Sequence, residues 1–305
     1  MKWRKLGLVY APSGADWWAR SHAYLPTVDL GAADRIRVYF AGLDEEQKGR
    51  VGFVDLDRDD PTRVVAVAPR PVLDLGEPGA FDDAGVNAAC IVDAGPDKHL
   101  YYIGWQRARD VPYNIFAGLA VSDDGGETFV RRSRAPILER TDEEPFFRSA
   151  TSVLRDENGY RMWYVGVRQW CHDGGAPYPE YVVRTTSSDD GLTWRNPSHV
   201  CIDFASDDEF GFGRPWVVRD GDRYRMWYSI RSRTRPYRIG YAESSDGLRW
   251  TRKDRDVGIE RSAAGWDSEM ICFGCVADID GRRYMFYNGN RHGATGFGVA
   301  VLDAD

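Results

Sequence analysis

Acidic residues stand at nearly the same place before successive apolar segments of the chain. Asp83, Glu144, Glu209 and Asp267 share this register, and Glu269 lies close to Asp267. Two carboxyl groups can cleave a glycosidic bond when one protonates the leaving oxygen and the other activates water or attacks. The shared register therefore predicts Asp83, Glu144, Glu209, Asp267 and Glu269 as candidate catalytic residues.

Polar and aromatic residues near the same segments are candidates for substrate binding. An arginine can hold a carboxylate or a phosphate through two parallel hydrogen bonds, and a tryptophan can stack on a sugar ring. Each also has a structural interpretation, because an arginine can keep a carboxyl group charged and a tryptophan can pack in a core. The predicted binding residues are His22, Asn87, Trp105, Arg148, Arg214, Trp266 and Asn288.

A short basic segment contains Arg231, Arg233, Arg235 and Arg238, with Tyr237 among them. One interpretation is a site for a phosphorylated or nucleotide-linked substrate. The other is a charged face exposed to solvent. Both remain open at the level of sequence.

The elements that position these residues repeat along the chain. An aromatic strand recurs, and alignment on one aromatic position gives intervals of 63, 61, 64 and 59 residues between Tyr39, Tyr102, Trp163, Trp227 and Phe286. Apolar runs precede and follow this strand, with Gly and Asp turns between them and no sustained helical period. Because radial repetition protects sheet edges, the sequence predicts an all-β, five-bladed β-propeller with four-stranded antiparallel blades around a central channel.

The prediction assigns residues 1–305 to one propeller domain. The blades cover roughly 11–75, 80–138, 144–203, 209–260 and 266–305, and the segment around Trp3 to Tyr10 supplies the closing strand of the last blade. The first strand of each blade lines the channel of a propeller. Residues that enter these strands are therefore expected to face one shared cavity.

Three turns have the spacing of Asp boxes. They are Ser122-x-Asp124-x-Gly126, Ser187-x-Asp189-x-Gly191 and the shorter Ser244-x-Asp246. An Asp side chain in such a turn accepts hydrogen bonds from the backbone, which accounts for it without catalysis. We assign these turns to the scaffold.

Composition excludes several classes of partner. Forty Lys and Arg against 47 Asp and Glu give a net charge of −7, which does not favour nucleic acid or an anionic membrane. No apolar run approaches the roughly 18 residues of a membrane span, so a cytoplasmic protein is predicted. Cys272 and Cys275 form one C-x-x-C without a second zinc-spaced pair, so no cofactor is expected, and channel-bound calcium is left open.

The chain resembles a known superfamily over nearly all of its length. It is similar to the five-bladed propeller glycosidases that include families 43, 32 and 130, and more narrowly to family-43-like proteins of bacterial polysaccharide or sugar-nucleotide gene clusters. The phrases that carry the resemblance are Ser21-His22-Ala23, Phe81-Asp82-Asp83-x-Gly85-Val86, Tyr101-Tyr102-Ile103-Gly104-Trp105, Gly213-Arg214-Pro215, and Trp266-Asp267-Ser268-Glu269 to Tyr287-Asn288-Gly289-Asn290.

The resemblance implies a base in the first blade, a carboxylate that tunes a pKa in the second and an acid in the third. Asp83 and Glu144 occupy the second and third places. His22 stands where the base is expected, and Asp16 is the nearest acid before it. This departure leaves three possibilities: Asp267 or Glu269 is the base, His22 transfers the proton, or the nucleophile is not a water activated by the enzyme.

Three hypotheses follow for a small carbohydrate or sugar-nucleotide substrate. The first is a glycoside hydrolase with Glu144 or Glu209 as acid. The second is a sugar-binding propeller without catalysis. The third is a phosphorylase, lyase, cyclase or transferase that reuses the glycosidase channel, with His22, Arg148 and Arg214 as a phosphate cradle in the phosphorylase case. Fold alone does not decide among them.

Overall fold

The computed structural model describes residues 1–157, 159–195 and 198–303. Residues 158, 196 and 197 of the third predicted blade, and residues 304 and 305 of the fifth, lie outside the described residues. Almost all of the regular secondary structure of the described chain is antiparallel strand, apart from a 3-10 turn at Asp254–Asp256 and one short helical turn, α1, at Asn290–Gly293. The predicted all-β class with antiparallel sheets is confirmed, and the number of blades stays a prediction. No helix of the described part has the length and apolar character that a membrane crossing requires.

The strands follow one another as antiparallel meanders, and each four-stranded meander is called a unit below. Strand β1 (Trp3–Tyr10) opens the chain. Unit 1 contains β2 (Ser21–Asp29), β3 (Arg35–Leu43), β4 (Gly49–Asp57) and β5 (Val64–Val67). Unit 2 contains β6 (Gly85–Ala94), β7 (Asp97–Arg107), β8 (Tyr113–Ser122) and β9 (Val130–Arg131).

Three further units complete the described chain. Unit 3 contains β10 (Arg148–Asp156), β11 (Gly159–Cys171), β12 (Tyr178–Ser188) and β13 (His199–Ile202). Unit 4 contains β14 (Glu209–Asp220), β15 (Arg223–Ser232), β16 (Arg238–Ser244) and β17 (Thr251–Arg252). Unit 5 contains β18 (Cys272–Ile279), β19 (Arg282–Asn288) and β20 (Phe297–Leu302), and its fourth strand is β1.

The two ends of the chain meet in unit 5. Strand β1 pairs antiparallel with β20, with Trp3 opposite Leu302 and Tyr10 opposite Phe297. Units 1 and 2 are joined into one eight-stranded sheet by a single parallel pair between Gly49 and Gly85. Units 3, 4 and 5 are separate four-stranded sheets.

The first strands of the units contact one another in a closed circuit. Strand β2 contacts β6, β6 contacts β10, β10 contacts β14, β14 contacts β18, and β18 contacts β2. Arg214 of β14 lies inside this circuit and is 1% exposed. Its guanidinium donates to the carbonyl oxygens of Pro26, Ala89 and Phe273 and to the Thr27 hydroxyl. One buried arginine therefore ties four first strands together.

One aromatic side chain per unit fills the core at an equivalent place. Each lies opposite the part of the first strand that follows a bulge, and each is 0% exposed. The five residues are Tyr39, Tyr101, Trp163, Trp227 and Phe286. The sequence alignment used Tyr102 in unit 2, which is one residue too far. The Tyr101-Tyr102 doublet offers two aromatic residues for one core position, and the pairing of Tyr101 with Cys90 shows that the first of them fills it.

The Asp-box turns of units 2, 3 and 4 each accept a hydrogen bond from the core aromatic residue of the preceding unit. Tyr39 donates from its hydroxyl to the Gly126 carbonyl, Tyr101 donates to Gly191, and the Trp163 indole donates to Gly247. The scaffold assignment of these turns agrees with these bonds.

The second Asp box lies one residue beyond its predicted register. Ser188 and Asp190 form it in place of Ser187 and Asp189. Backbone hydrogen bonds from Thr193 and Leu192 lower the pKa of Asp190 to about 2. Asp189 instead pairs with Arg195 on the surface.

Candidate functional site

A cavity of about 570 Å³ lies against the circuit of first strands. Each of the five first strands contributes lining, with Leu25 from β2, Asn87 from β6, Ala150 from β10, Arg214 from β14 and Phe273 from β18. A concave site of this volume is typical of small-molecule binding. The ends and bends of these strands therefore decide which side chains a ligand meets.

Backbone strain is concentrated in the cavity lining. Among the described residues, nine that are not glycine have a positive φ, and eight of them line the cavity. Such conformations cost about 1–3 kcal/mol each and cluster at functional sites. The eight are His22, Leu25, Gln47, Ala150, Arg214, Phe273, Arg291 and His292.

Aromatic rings cover one part of the lining. The rings of Trp105 and Tyr113 lie 5.0 Å apart between centroids. The hydroxyl oxygens of Tyr113 and Tyr181 are 2.6 Å apart, so one of them donates to the other. The second hydroxyl proton of this pair is left for another acceptor. The Trp105 indole nitrogen is buried and has no hydrogen-bond partner.

Arg231 is the cation that distinguishes this cavity. Its guanidinium carbon lies 5.0 Å from the Tyr181 ring centroid, 4.7 Å from that of Phe210 and 5.8 Å from that of Tyr237. The Nε atom is buried without a hydrogen-bond partner, and no carboxylate of the described residues lies within 4.0 Å of the guanidinium. A desolvated cation without an anion is unfavourable. Arg231 is therefore poised for an anion from outside the chain.

The other arginines of the basic segment have partners within the protein. Arg233 pairs with Glu180, Arg235 with Asp208 and Arg238 with Glu209. Of the four arginines that the sequence placed together, Arg231 alone lines the cavity. Local sequence does not separate these cases, because all four lie within eight residues.

Two histidines line the cavity beside Arg231. The Nδ1 atom of His22 lies 2.9 Å from the Ser21 hydroxyl. His292 makes an edge contact with the Tyr237 ring, 4.8 Å between centroids, and no hydrogen bond of its ring is found among the described residues. Burial lowers the pKa of His292 to about 4, and the charges of Arg231 and His22 act in the same direction. Its imidazole is therefore neutral near pH 7.

No aspartate or glutamate occurs among the described residues that line the cavity. Four buried carboxylates, Asp82, Glu144, Glu209 and Asp267, lie instead within their own units, where a cation contacts each of them and a tyrosine hydroxyl contacts all but Glu209. We call these groups the carboxylate latches. Tyr102 and Arg131 contact Asp82, Tyr164 and Arg184 contact Glu144, and Tyr287 and Lys5 contact Asp267.

Glu209 forms the latch of unit 4. Arg252 donates to its two oxygens at 2.7 and 2.8 Å, Arg238 approaches at 3.3 Å, and the Ala205 backbone N–H donates at 2.9 Å. Burial acts to raise the pKa of Glu209, but the Arg252 hydrogen bonds and this backbone bond lower it below its ordinary value. A general acid needs the opposite shift.

The remaining predicted carboxylates lie in other surroundings. Asp83 accepts a hydrogen bond from the Gly79 backbone N–H within a turn, and Asp82 takes the latch position next to it. Glu269 is exposed. The catalytic role of Asp83, Glu144, Glu209, Asp267 and Glu269 stays a prediction, since none of them lines the cavity.

Three predicted binding residues lie outside the cavity lining. Arg148 donates to Glu144 within unit 3. Trp266 packs on unit 5, where a Cβ added at Gly298 would lie 2.4 Å from its ring. Asn288 is 0% exposed and joins unit 5 to unit 1, accepting from the Leu25 N–H and donating to the Ala23 carbonyl.

Four of the twelve predicted site residues line the cavity, and the structure adds others. The four are His22, Asn87, Trp105 and Arg214, although the Arg214 guanidinium is occupied by carbonyl groups. The prediction did not include Tyr113, Tyr181, Tyr237, Arg231 and His292 among its site residues. The chain has five histidines, and this scarcity was the signal in the sequence that could have marked His292 as a candidate site residue.

Sequence comparison identifies two relatives from Mycobacterium tuberculosis. Uncharacterized protein Rv1502 of strain ATCC 25618 / H37Rv is 41% identical over 303 residues, which covers 99% of this chain and 100% of the relative. Uncharacterized protein MT1551 of strain CDC 1551 / Oshkosh gives the same identity and coverage. No protein-family model matches the chain.

Several solved structures of glycoside hydrolases share this fold. A glycoside hydrolase superposes with a TM-score of 0.76 at 20% identity, over 98% of this chain and 90% of that one. A thermostable family-43 glycoside hydrolase gives 0.69 at 16%, over 93% and 91%. An exo-1,5-alpha-L-arabinanase from a bovine ruminal metagenomic library gives 0.64 at 14%, over 93% and 94%. The resemblance to glycosidases is confirmed at the level of the fold.

Proposed function

The chain belongs to the family of the mycobacterial protein Rv1502, and we propose that it is a five-bladed β-propeller that binds an anionic carbohydrate in its central cavity. The closed circuit of first strands supports the blade number, since one strand of each unit takes part. The fold shared with glycoside hydrolases supports a carbohydrate ligand. The negative charge of that ligand follows from the chemistry of the lining.

The observation that carries the proposal is Arg231. Its guanidinium is surrounded by aromatic rings, its Nε is buried without an acceptor, and the described lining contains no carboxylate. A carboxylate or phosphate accepts two parallel hydrogen bonds from one guanidinium, which offsets the cost of keeping the cation in an apolar site. An anionic ligand supplies the charge that the protein omits here.

Two further groups of the lining are free to donate hydrogen bonds. The Tyr113 and Tyr181 pair has one free hydroxyl proton, and the Trp105 indole N–H has no partner. A neutral sugar presents both donors and acceptors and would leave its donors without carboxylates to receive them. An acidic or phosphorylated sugar has more acceptors, and the aromatic rings offer apolar surface for its ring face.

Glycosidic hydrolysis is the second candidate, favoured by the fold. It needs two carboxyl groups on either side of the scissile bond. The latches hold Glu144, Glu209 and Asp267 within their units, each with a cation close by. We therefore rank binding of an anionic sugar above hydrolysis by paired carboxylates.

Isothermal titration of four probes tests the proposal. Glucuronate, glucose 1-phosphate and uridine diphosphate glucose are compared with glucose, for the unmodified protein, Arg231→Gln and the control Arg235→Gln. We expect binding of at least one anionic probe, weakened by Arg231→Gln and unchanged by Arg235→Gln, whose guanidinium pairs with Asp208 at the surface. Binding of glucose that equals that of the anions, with no effect of Arg231→Gln, would refute the proposal.

A further inference from the structure

Resting on the proposed function, we propose that the anionic sugar is a uronate and that the cavity catalyses its β-elimination, with His292 as the base that removes the C5 proton. Arg231 binds the carboxylate of the sugar, and Tyr237 protonates the leaving oxygen. This reaction needs no carboxyl group from the protein. The lining thus suits elimination better than hydrolysis.

The three side chains lie around one point of the cavity. The Tyr237 ring neighbours both of the others, with the Arg231 guanidinium carbon 5.8 Å and the His292 ring 4.8 Å from its centroid. Phe273 contacts both rings, with centroids 6.2 Å from Tyr237 and 6.2 Å from His292. A sugar held by Arg231 is therefore within the reach of both the histidine and the tyrosine.

Elimination from a uronate requires these groups and no other reactant. The carboxylate at C6 lies next to C5, and its pairing with a guanidinium stabilises the negative charge that develops when the C5 proton leaves. The C5–H electron pair forms the C4=C5 double bond, and the C4–O bond breaks with its pair. The proton of C5 passes to His292, and the oxygen at C4 receives a proton from Tyr237. Atoms and electrons balance without water.

The protonation states agree with these roles. His292 is neutral near pH 7 and has no protein partner for its ring nitrogens among the described residues, so a nitrogen is free to accept a proton. Burial raises the pKa of Tyr237 to about 12, against the effect of Arg231, so its hydroxyl keeps its proton for donation. A general base is neutral and a general acid is protonated before the reaction.

His292 lies in a segment of strained backbone. Arg291 and His292 have φ values of +50° and +58° inside α1. Asn288 braces this turn: a Cβ at Gly293 would lie 2.5 Å from the Asn288 amide nitrogen, which donates to the Ala23 and Gly296 carbonyls. Strain that the surroundings maintain is typical of a preorganised site. Asn288 is a positioning residue in this scheme.

Defined 1,4-linked uronate oligosaccharides test the inference. Trigalacturonate, a mannuronate trisaccharide and a hyaluronan tetrasaccharide are incubated with the protein, and the ultraviolet absorbance of the conjugated C4=C5 product is recorded. Exchange of the C5 hydrogen in deuterium oxide is followed by NMR on the same samples. We expect elimination or exchange with at least one oligosaccharide, reduced at least about 100-fold by His292→Gln while binding changes less than about twofold.

Tyr237→Phe separates the acid from the base. It should reduce elimination and leave C5 exchange measurable, because proton removal precedes departure of the leaving group. His99→Gln is the matched control, since that histidine lies in β7 outside the cavity lining and should leave both rates unchanged.

The outcomes distinguish this inference from the proposed function. Binding of uronates that depends on Arg231, with neither elimination nor C5 exchange, overturns the inference and leaves anion binding in place. Elimination that survives His292→Gln overturns the assignment of the base. Failure of the anionic probes to bind overturns the proposed function itself.

Discussion

The carboxylate latches and the cavity differ in whether a buried charge has a partner of opposite charge. In a latch, a buried carboxylate such as Glu209 receives hydrogen bonds from Arg252 and from a backbone N–H. In the cavity, Arg231 has aromatic neighbours and no carboxylate among the described residues. A charge that stabilises a fold must be paired within the chain. A charge left without an opposite charge in a concave site therefore indicates the place for a ligand.

The largest effect is expected when a latch is broken. Glu209→Ala leaves Arg252 and Arg238 without their shared carboxylate. We expect the free energy of unfolding to fall by about 3 kcal/mol. This is near the lower end of the range for broken buried ion pairs, because Arg252 also pairs with Asp254. Urea denaturation measures this loss. The variant should bind the anionic probes normally under conditions where it is folded. A stable variant that fails to bind would place Glu209 in the site.

Removal of the Arg231 guanidinium from the cavity should weaken ligand binding and should not lower the stability of the fold. Arg231→Gln is expected to weaken binding of the anionic probe by about 1.5–3 kcal/mol, roughly 10-fold to 100-fold, because a charged hydrogen bond is lost. Its free energy of unfolding should stay the same or rise, since a buried cation that has no carboxylate partner among the described residues is removed. Titration calorimetry and urea denaturation measure the two quantities. If Arg231→Gln lowered the free energy of unfolding as much as Glu209→Ala does, the cavity and the latches would not differ in how they use charge.

A smaller effect is expected for a carboxylate that serves a turn. Asp190→Ala removes the acceptor of the Leu192 and Thr193 backbone bonds and should cost about 1 kcal/mol, as the loss of a capping residue does. Asp189→Ala breaks only a surface ion pair with Arg195 and should cost less. Thermal denaturation of the two variants compares adjacent residues. Equal losses would contradict the register of this Asp box.

The last effect concerns pH and depends on His292, which is half-buried. Its pKa of about 4 lies below the ordinary 6.5, so the unfolded chain binds the proton more tightly. Stability is then fully present above about pH 6.5 and declines as pH falls towards 4. His22 on β2, Arg231 on β15 and Tyr237 face this imidazole. His292→Gln should flatten this part of the pH profile measured by urea denaturation, and an unchanged profile would contradict the assignment.

At pairs of adjacent identical or similar residues, the sequence did not predict which residue takes the structural role. Asp82 forms a latch where the pattern pointed to Asp83, Tyr101 fills the core where it pointed to Tyr102, and Asp190 forms the box in place of Asp189. Each error is one residue. Side chains of a strand alternate between its two faces, so two adjacent residues of the same type have different surroundings. In a doublet such as Asp-Asp or Tyr-Tyr, the sequence does not show which of the two residues takes the structural position.

The sequence by itself determined the antiparallel strands, their repetition and the turns between them, because period, aromatic spacing and turn residues are local properties. Only the tertiary structure decided where the charges point. Asp82, Glu144, Glu209 and Asp267 turn towards cations within their own units, and Arg231 meets rings from β12 and β14. These partners are distant in sequence. The charge of the cavity, and with it the proposed ligand, therefore depends on contacts that no local pattern contains.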